Sequence, residues 1–129
     1  MNQIARIPAA KPSQTDDLAA FCKAAGDALR LDILRVLRSD SFGVLELAQI
    51  FDMRQSGMSH HLKVLANAGL VSTRREGNSI FYRRSLPVSE QPWHRLHSQL
   101  LNELDGQPDD PQLAQAIAAK PRLLLLDDP

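Results

Sequence analysis

Residues 54–71 read RQSGMSHHLKVLANAGLV, with His60 and His61 adjacent and Ser59 and Lys63 beside them in a helical pattern. Three chemistries use such residues: metal ligation, a serine–histidine catalytic pair, or contact with a polyanion. On a helical wheel advancing about 100° per residue, Met58, Leu62 and Leu65 fall in one narrow arc, which is expected to be buried. His61 lies at the edge of that arc. Gln55, Ser56, Ser59, His60, Lys63 and Asn67 fall on the far side or near the N-terminal end. Two ligands on one helix converge on an ion only at i, i+3 or i+4, so adjacent histidines diverge and do not make a metal site. Catalysis needs titratable groups converging in a pocket, and Ser59 and His60 sit on a convex face without a third partner, so no enzyme is expected.

The remaining chemistry is polyanion contact. Short donors, one long cation and no acid suit phosphate oxygens and base edges, where Gln and Asn pair with adenine and Lys with guanine. The helix N-terminus adds free backbone N–H groups. Gly57, in the first turn, costs about 1 kcal/mol against alanine and is expected to admit a second backbone closely. The plain alternative is a solvated polar helix face. Charge distribution weighs against it. Lys+Arg and Asp+Glu number 15 each over the chain, yet residues 54–84 hold 6 basic and 1 acidic side chains, for a local net of +5. Arg74, Arg75, Arg83 and Arg84 cluster just after the helix, and a basic middle within an acidic remainder points to duplex DNA.

The elements that position these residues follow from periodicity. Residues 1–16, with Pro8 and Pro12, read as a flexible arm. Helical spacing runs from Asp17 to Ser39, with apolar stripes Leu18, Phe21, Cys22, Ala25 and Leu29, Ile33, Val36, Leu37. Gly26-Asp27 divides it into two helices, Asp27 acting as N-cap. Ser41-Phe42-Gly43 reads as a break, and Val44–Phe51 as a short helix. The helix Gln55–Ala68 ends at Gly69. Two β-rich runs, Leu70–Arg75 and Ser79–Arg84, flank Glu76-Gly77-Asn78, a hairpin turn in which Gly77 and Asn78 both tolerate positive φ. Trp93–Leu104 reads as a helix, and Asp110-Pro111 opens a last one to Ala119. The expected fold is mainly α with a small β-hairpin, a winged helix-turn-helix in α-α-α-α-β-β-α order. Residues 17–105 form its DNA-binding and dimerisation domain, and 106–129 a C-terminal extension in which Leu123–Leu126 and Asp127-Asp128 clasp a partner or fray.

Cys22 is the single cysteine, so no intramolecular disulfide and no Cys-pair zinc site is expected. On its apolar stripe it reads as a small core residue, with an intersubunit disulfide as the lesser alternative. The N-terminal stretch lacks the apolar core of a signal peptide. The longest apolar run, Leu123–Leu126, is far short of the about 20 residues a membrane helix needs. A cytoplasmic protein with no membrane contact and no cofactor is expected.

The phrases LRLDILRVL, VLELAQIF, QSGMSHHLKVLANAGLV and RREGNSIFYRR resemble the ArsR/SmtB family of bacterial winged-helix repressors over roughly residues 18–104. The resemblance implies a homodimer on an inverted-repeat operator in double-stranded DNA, released by an inducer. Gln55–Ala68 would be the recognition helix and the Gly77 turn the wing tip. The implied DNA contacts are Gln55, Ser56, Ser59, His60, Lys63, Arg74, Arg75 and Arg83. The implied dimer interface joins Leu18, Phe21 and Cys22 of the first helix to Trp93, Leu96, Leu100, Leu101 and Leu104. Many members sense thiophilic metals through Cys-x-Cys on the helix before the recognition helix, where this chain reads Leu45-Glu46-Leu47-Ala48-Gln49. Zinc-sensing members use an acidic–His–His–acidic series that His94, His97 and Glu103 match only in part. No metal site is expected, His94 and His97 being weak candidates that read as exposed helix histidines. By elimination the inducer is a small-molecule metabolite or a protein. The alternatives are a zinc-responsive repressor using His94 and His97, or a winged-helix module that binds an acidic protein.

Overall fold

The computed structural model describes residues 13–119. Most of the expected arm (1–12) and the Leu123–Leu126 and Asp127-Asp128 segment lie outside the described residues.

Helix α1 spans Gln14–Ala25. It starts before the expected Asp17 because Ser13 and Asp16 form a reciprocal cap. The Ser13 hydroxyl accepts from the Asp16 amide at 3.1 Å, and the Asp16 carboxylate accepts from the Ser13 amide at 3.2 Å. Helix α2, Ala28–Val36, starts where Asp27 accepts from the Arg30 amide at 3.1 Å. It ends short of the expected Ser39. The supposed break that follows contains a strand, β1 at Phe42–Gly43, which runs directly into α3, Val44–Ile50. The Gly43 amide donates to the Glu46 carboxylate at 2.9 Å, fastening that junction. Asp52, at φ 54°, makes the left-handed turn into α4, Gln55–Asn67; aspartate tolerates that conformation better than most side chains.

Strands β2 (Val71–Glu76) and β3 (Ser79–Arg84) form the expected hairpin, with Glu76 opposite Ser79. Gly77 has φ 62° while Asn78 does not share the positive sign, so the turn has the signature of type II′, and of the two tolerant residues only the glycine uses the left-handed region. The sheet is three-stranded, in the order β1-β3-β2, because Phe42 and Gly43 pair with Tyr82 and Phe81. Helix α5 spans His94–Asp105, and α6, Pro111–Ala119, is capped as expected by Asp110, which accepts from the Gln112 amide at 3.0 Å.

The core gathers Phe21, Ile33, Leu34, Leu47, Leu70 and the α4 trio Met58, Leu62 and Leu65, each at most 2% exposed. Burying such a side chain contributes about 1.5–3 kcal/mol. Helix α3 packs against α4 in the helix-turn-helix arrangement, and α6 lies against α3, presenting Leu113, Ala116 and Ile117 to the core. Among the described residues no helix is long and apolar enough to cross a membrane.

Candidate nucleic-acid interface

Burial along α4 follows the wheel. Met58, Leu62 and Leu65 are inside, while Gln55, Ser56, Ser59, His60, Lys63 and Asn67 are exposed together. Arg54, counted in the basic segment but given no role there, is exposed at the N-cap of this helix. The missing signal is positional, since a cap residue lies just outside the periodic pattern. Gly57 does not meet another backbone. The neighbour of a side chain placed there would be the Met53 methyl at 3.3 Å, so the glycine makes room for Met53.

His61 has a structural task. Its Nδ1 faces the Arg30 guanidinium at 3.2 Å and therefore accepts, leaving the other ring nitrogen to carry the proton. Arg30 also donates to the carbonyls of Ala24 at 2.9 Å and Lys23 at 3.1 Å, satisfying the C-terminal end of α1. Burial, followed by the Arg30 and His60 charges and opposed by Asp27, holds the His61 pKa below its ordinary 6.5. The helix bearing the polar face is thus fastened to α1 through a neutral histidine.

The hairpin arginines divide. Strand alternation places Arg74 and Arg83 on one side with Phe81, and Arg75 and Arg84 on the other with Tyr82. Arg74 lies over the Phe81 ring at 5.9 Å and pairs with Glu76 at 3.4 Å, which partly neutralises it. Arg75 and Arg83 are exposed, Arg83 with a long 3.4 Å bond to the Ser72 hydroxyl. Arg84 turns inward, contrary to its grouping with the basic cluster. Its two terminal nitrogens donate to the Asp105 carboxylate at 2.9 Å each, and one also reaches the Leu34 carbonyl at 3.2 Å. The bidentate fork joins the root of the wing to the ends of α5 and α2.

The apolar residues on α1 and α5 divide as well. Phe21, Leu101 and Leu104 are buried within their own chain, Trp93 and Leu100 are half-buried, and Leu18 and Leu96 are 36% and 45% exposed. Cys22 is exposed, not a core residue, because α1 turns Phe21 and Ala24 inward. Phe21 packs between Trp93, at 6.5 Å between ring centres, and His97, at 5.6 Å.

His97 is not an exposed histidine. It is 1% exposed, and its stripe with Leu101 and Leu104, at i, i+4 and i+7, is the signal that could have revealed this. Its Nδ1 faces the Gln91 side chain at 3.4 Å, whereas the His94 Nδ1 faces the Gln91 backbone carbonyl at 3.2 Å. Burial, then the Arg84 charge, keeps the His97 pKa below 6.5. A group neutral in the fold that protonates more readily when unfolded favours the folded state less as pH falls below 6.5. Among the described residues no three His, Cys, Asp or Glu side chains gather as a metal would require.

This geometry has counterparts. A family model described as a helix-turn-helix domain matches residues 25–74. The chain is 39% identical over 77 residues to the biofilm growth-associated repressor of Agrobacterium fabrum, covering 60% of this chain and 65% of that one, just under two thirds of the relative's length. It is 36% identical over 80 residues to the transcriptional activator HlyU of Vibrio cholerae, covering 60% and 74%. A solution structure from Mycobacterium bovis superposes with a TM-score of 0.57 at 30% identity, over 70% of this chain and 81% of that one. It is described as a homodimeric winged helix-turn-helix DNA-binding domain of a possible ArsR-family regulator. The chain belongs to the ArsR/SmtB family of winged helix-turn-helix transcriptional regulators, which are DNA-binding proteins and not enzymes.

Proposed function

We propose that this chain acts in the cytoplasm as a homodimeric, sequence-specific repressor on an inverted-repeat operator, released by a small molecule rather than a thiophilic metal. The observation that carries the reading is the acid-free exposed face of α4, which begins at Arg54 and is followed by a wing bearing Arg75 and Arg83. In the duplex, α4 lies in the major groove. Gln55, Ser56, Ser59 and His60 approach base edges or nearby phosphates, and Lys63 with Arg74, Arg75 and Arg83 takes backbone phosphates. Arg74 contributes less than its neighbours because Glu76 already pairs with it. Leu18, Cys22 and Leu96 supply the exposed apolar side chains for pairing two subunits, backed by Phe21, Trp93, Leu100, Leu101 and Leu104. Two α4 helices related by a dimer axis then read half-sites about one helical turn apart.

A metal signal has little support in the donor set. The segment Leu45–Gln49 carries no thiol, and His94 and His97 turn to different oxygens of Gln91. One relative is named a repressor and another an activator, so the sign of regulation is part of the test. The experiment is a titration of the purified protein against the DNA upstream of its own gene and a scrambled duplex, at several salt concentrations, with zinc and a chelator as separate conditions. Tight binding to the first that weakens steeply with salt and ignores zinc is expected, as several phosphate contacts release counterions. Equal weak binding to both duplexes overturns the reading in favour of an acidic protein partner.

A further inference from the structure

A cleft opens at the root of the wing, between the loop after α2 and the chain that leaves β3. Its volume is about 590 Å³, in the range of small-molecule sites, whereas the cavity beneath α6 holds about 120 Å³. The lining is basic. Arg38, Arg83 and Arg84 are among its lining residues, with Ser72 and Ser85 beside them. The cleft's carboxylate, Asp40, accepts the Ser41 amide of its own loop at 2.8 Å. Leu86 and Val88 form an apolar lip, 76% and 53% exposed.

The three arginines differ in freedom. Arg84 is committed to Asp105 and the Leu34 carbonyl, with its side chain 10% exposed, so its charge is largely balanced within the fold and it serves as a fixed wall. Arg38 makes a loose 3.9 Å contact with Asp105 and is 57% exposed. Arg83 holds the Ser72 hydroxyl by a long bond. Two exposed arginines with little commitment of their own, Arg38 and Arg83, together with serines and an apolar lip in one lining, suit an anionic head on an apolar body.

We propose that this cleft binds a small amphipathic oxyanion, a carboxylate or phosphate monoester bearing an apolar group, and that this ligand is the inducer. The second half rests on the regulator reading above. An anion seated here draws Arg83 towards the root and sets negative charge at the base of the wing. Both effects weaken phosphate contacts without any ligand touching α4. The ligand source is a free small molecule; a backbone phosphate of bound DNA has the same head chemistry and is separated by the test.

The probe is phenyl phosphate, compared with inorganic phosphate at matched ionic strength. Amide resonances of residues 38–41, 72 and 83–88 are followed by NMR in the DNA-free protein, and operator affinity is measured with and without the probe. Saturable shifts confined to those residues are expected, tighter for phenyl phosphate than for inorganic phosphate, together with a loss of operator affinity at saturation. Arg38→Gln is expected to weaken the probe about tenfold or more, the loss of a charge-assisted hydrogen bond. Leu86→Asp, on an exposed lip where folding is not at stake, does likewise by repulsion. Absence of saturable shifts, or binding indifferent to both substitutions, overturns the site. Binding that leaves operator affinity unchanged overturns the inducer role. If Arg38→Gln weakens DNA binding without any probe and flattens its salt dependence, the cleft belongs to a DNA phosphate and the small-molecule assignment falls. Failure of the probe-free protein to prefer its operator counts against the regulator reading alone, since the NMR arm still decides the cleft.

Discussion

Arg83 and Arg84 are neighbours in the chain and opposites in the fold. Arg84 is enclosed, spending both terminal nitrogens on Asp105 and one also on the Leu34 carbonyl. Arg83 is exposed and held by one long bond to Ser72. Strand alternation sorts a basic doublet into a brace and an available cation, and it acts again on Arg74 and Arg75. The wing therefore carries fewer free charges than its composition suggests, and its direction is set by an arginine that is turned inward.

The largest expected effect comes from removing the brace. Arg84→Ala leaves the Asp105 carboxylate, 28% exposed, with only the loose Arg38 contact and is expected to cost about 3 kcal/mol of stability by chemical denaturation. An unchanged midpoint would erase the distinction between the two arginines. Arg75→Glu on the exposed side is expected to lower affinity for the operator by about 1–3 kcal/mol. The melting temperature of that variant should barely move, as for most exposed substitutions; a large fall would mean that Arg75 is a brace too. Gly77→Ala tests the tip alone. At φ 62° with open space around it, the substitution costs backbone strain of about 1 kcal/mol, read as a small drop in melting temperature.

The smallest effect is a pH dependence. The hydrogen bond from Arg84 holds the Asp105 pKa below 3.8 despite opposition from burial, and the Arg84 and Arg38 charges add to it. A carboxyl whose folded pKa is depressed stabilises the fold above its unfolded value, and the contribution disappears as pH falls through the folded value. The stability gap between the parent protein and Arg84→Ala should therefore narrow as pH drops below 3.8. A gap that stays constant would show that Arg84 acts through the Leu34 carbonyl and not through Asp105.

The sequence made α4 readable because helix periodicity is local: Met58, Leu62 and Leu65 face inward by spacing alone, and the polar face follows. The caps at Asp27 and Asp110 and the end at Gly69 were readable for the same reason. Arg84 was not. Alternation shows that Arg83 and Arg84 point apart, but which of them is enclosed depends on Asp105, distant in sequence. Strand β1 was missed because two residues are too few for any period, and Phe42 and Gly43 become a strand only by pairing with Tyr82 and Phe81. The polarity of His97 masks its place on the Leu101–Leu104 stripe, which carries it into the core. Cys22 misleads in the opposite direction, since it lies on an apolar stripe of which only the Phe21 and Ala24 edge finds a packing partner.

That short strand has a mechanical consequence. With β3 in the middle, the wing cannot tilt without carrying β1, and β1 passes into α3 without a linker. Helix α3 in turn packs against α4. The spacing between α4 and the hairpin is therefore tied through β1 and α3, as between the jaws of a calliper. On the regulator reading proposed above, such an instrument would gauge groove width as well as read bases, so stiff or narrowed tracts flanking an operator would alter affinity where no side chain makes contact.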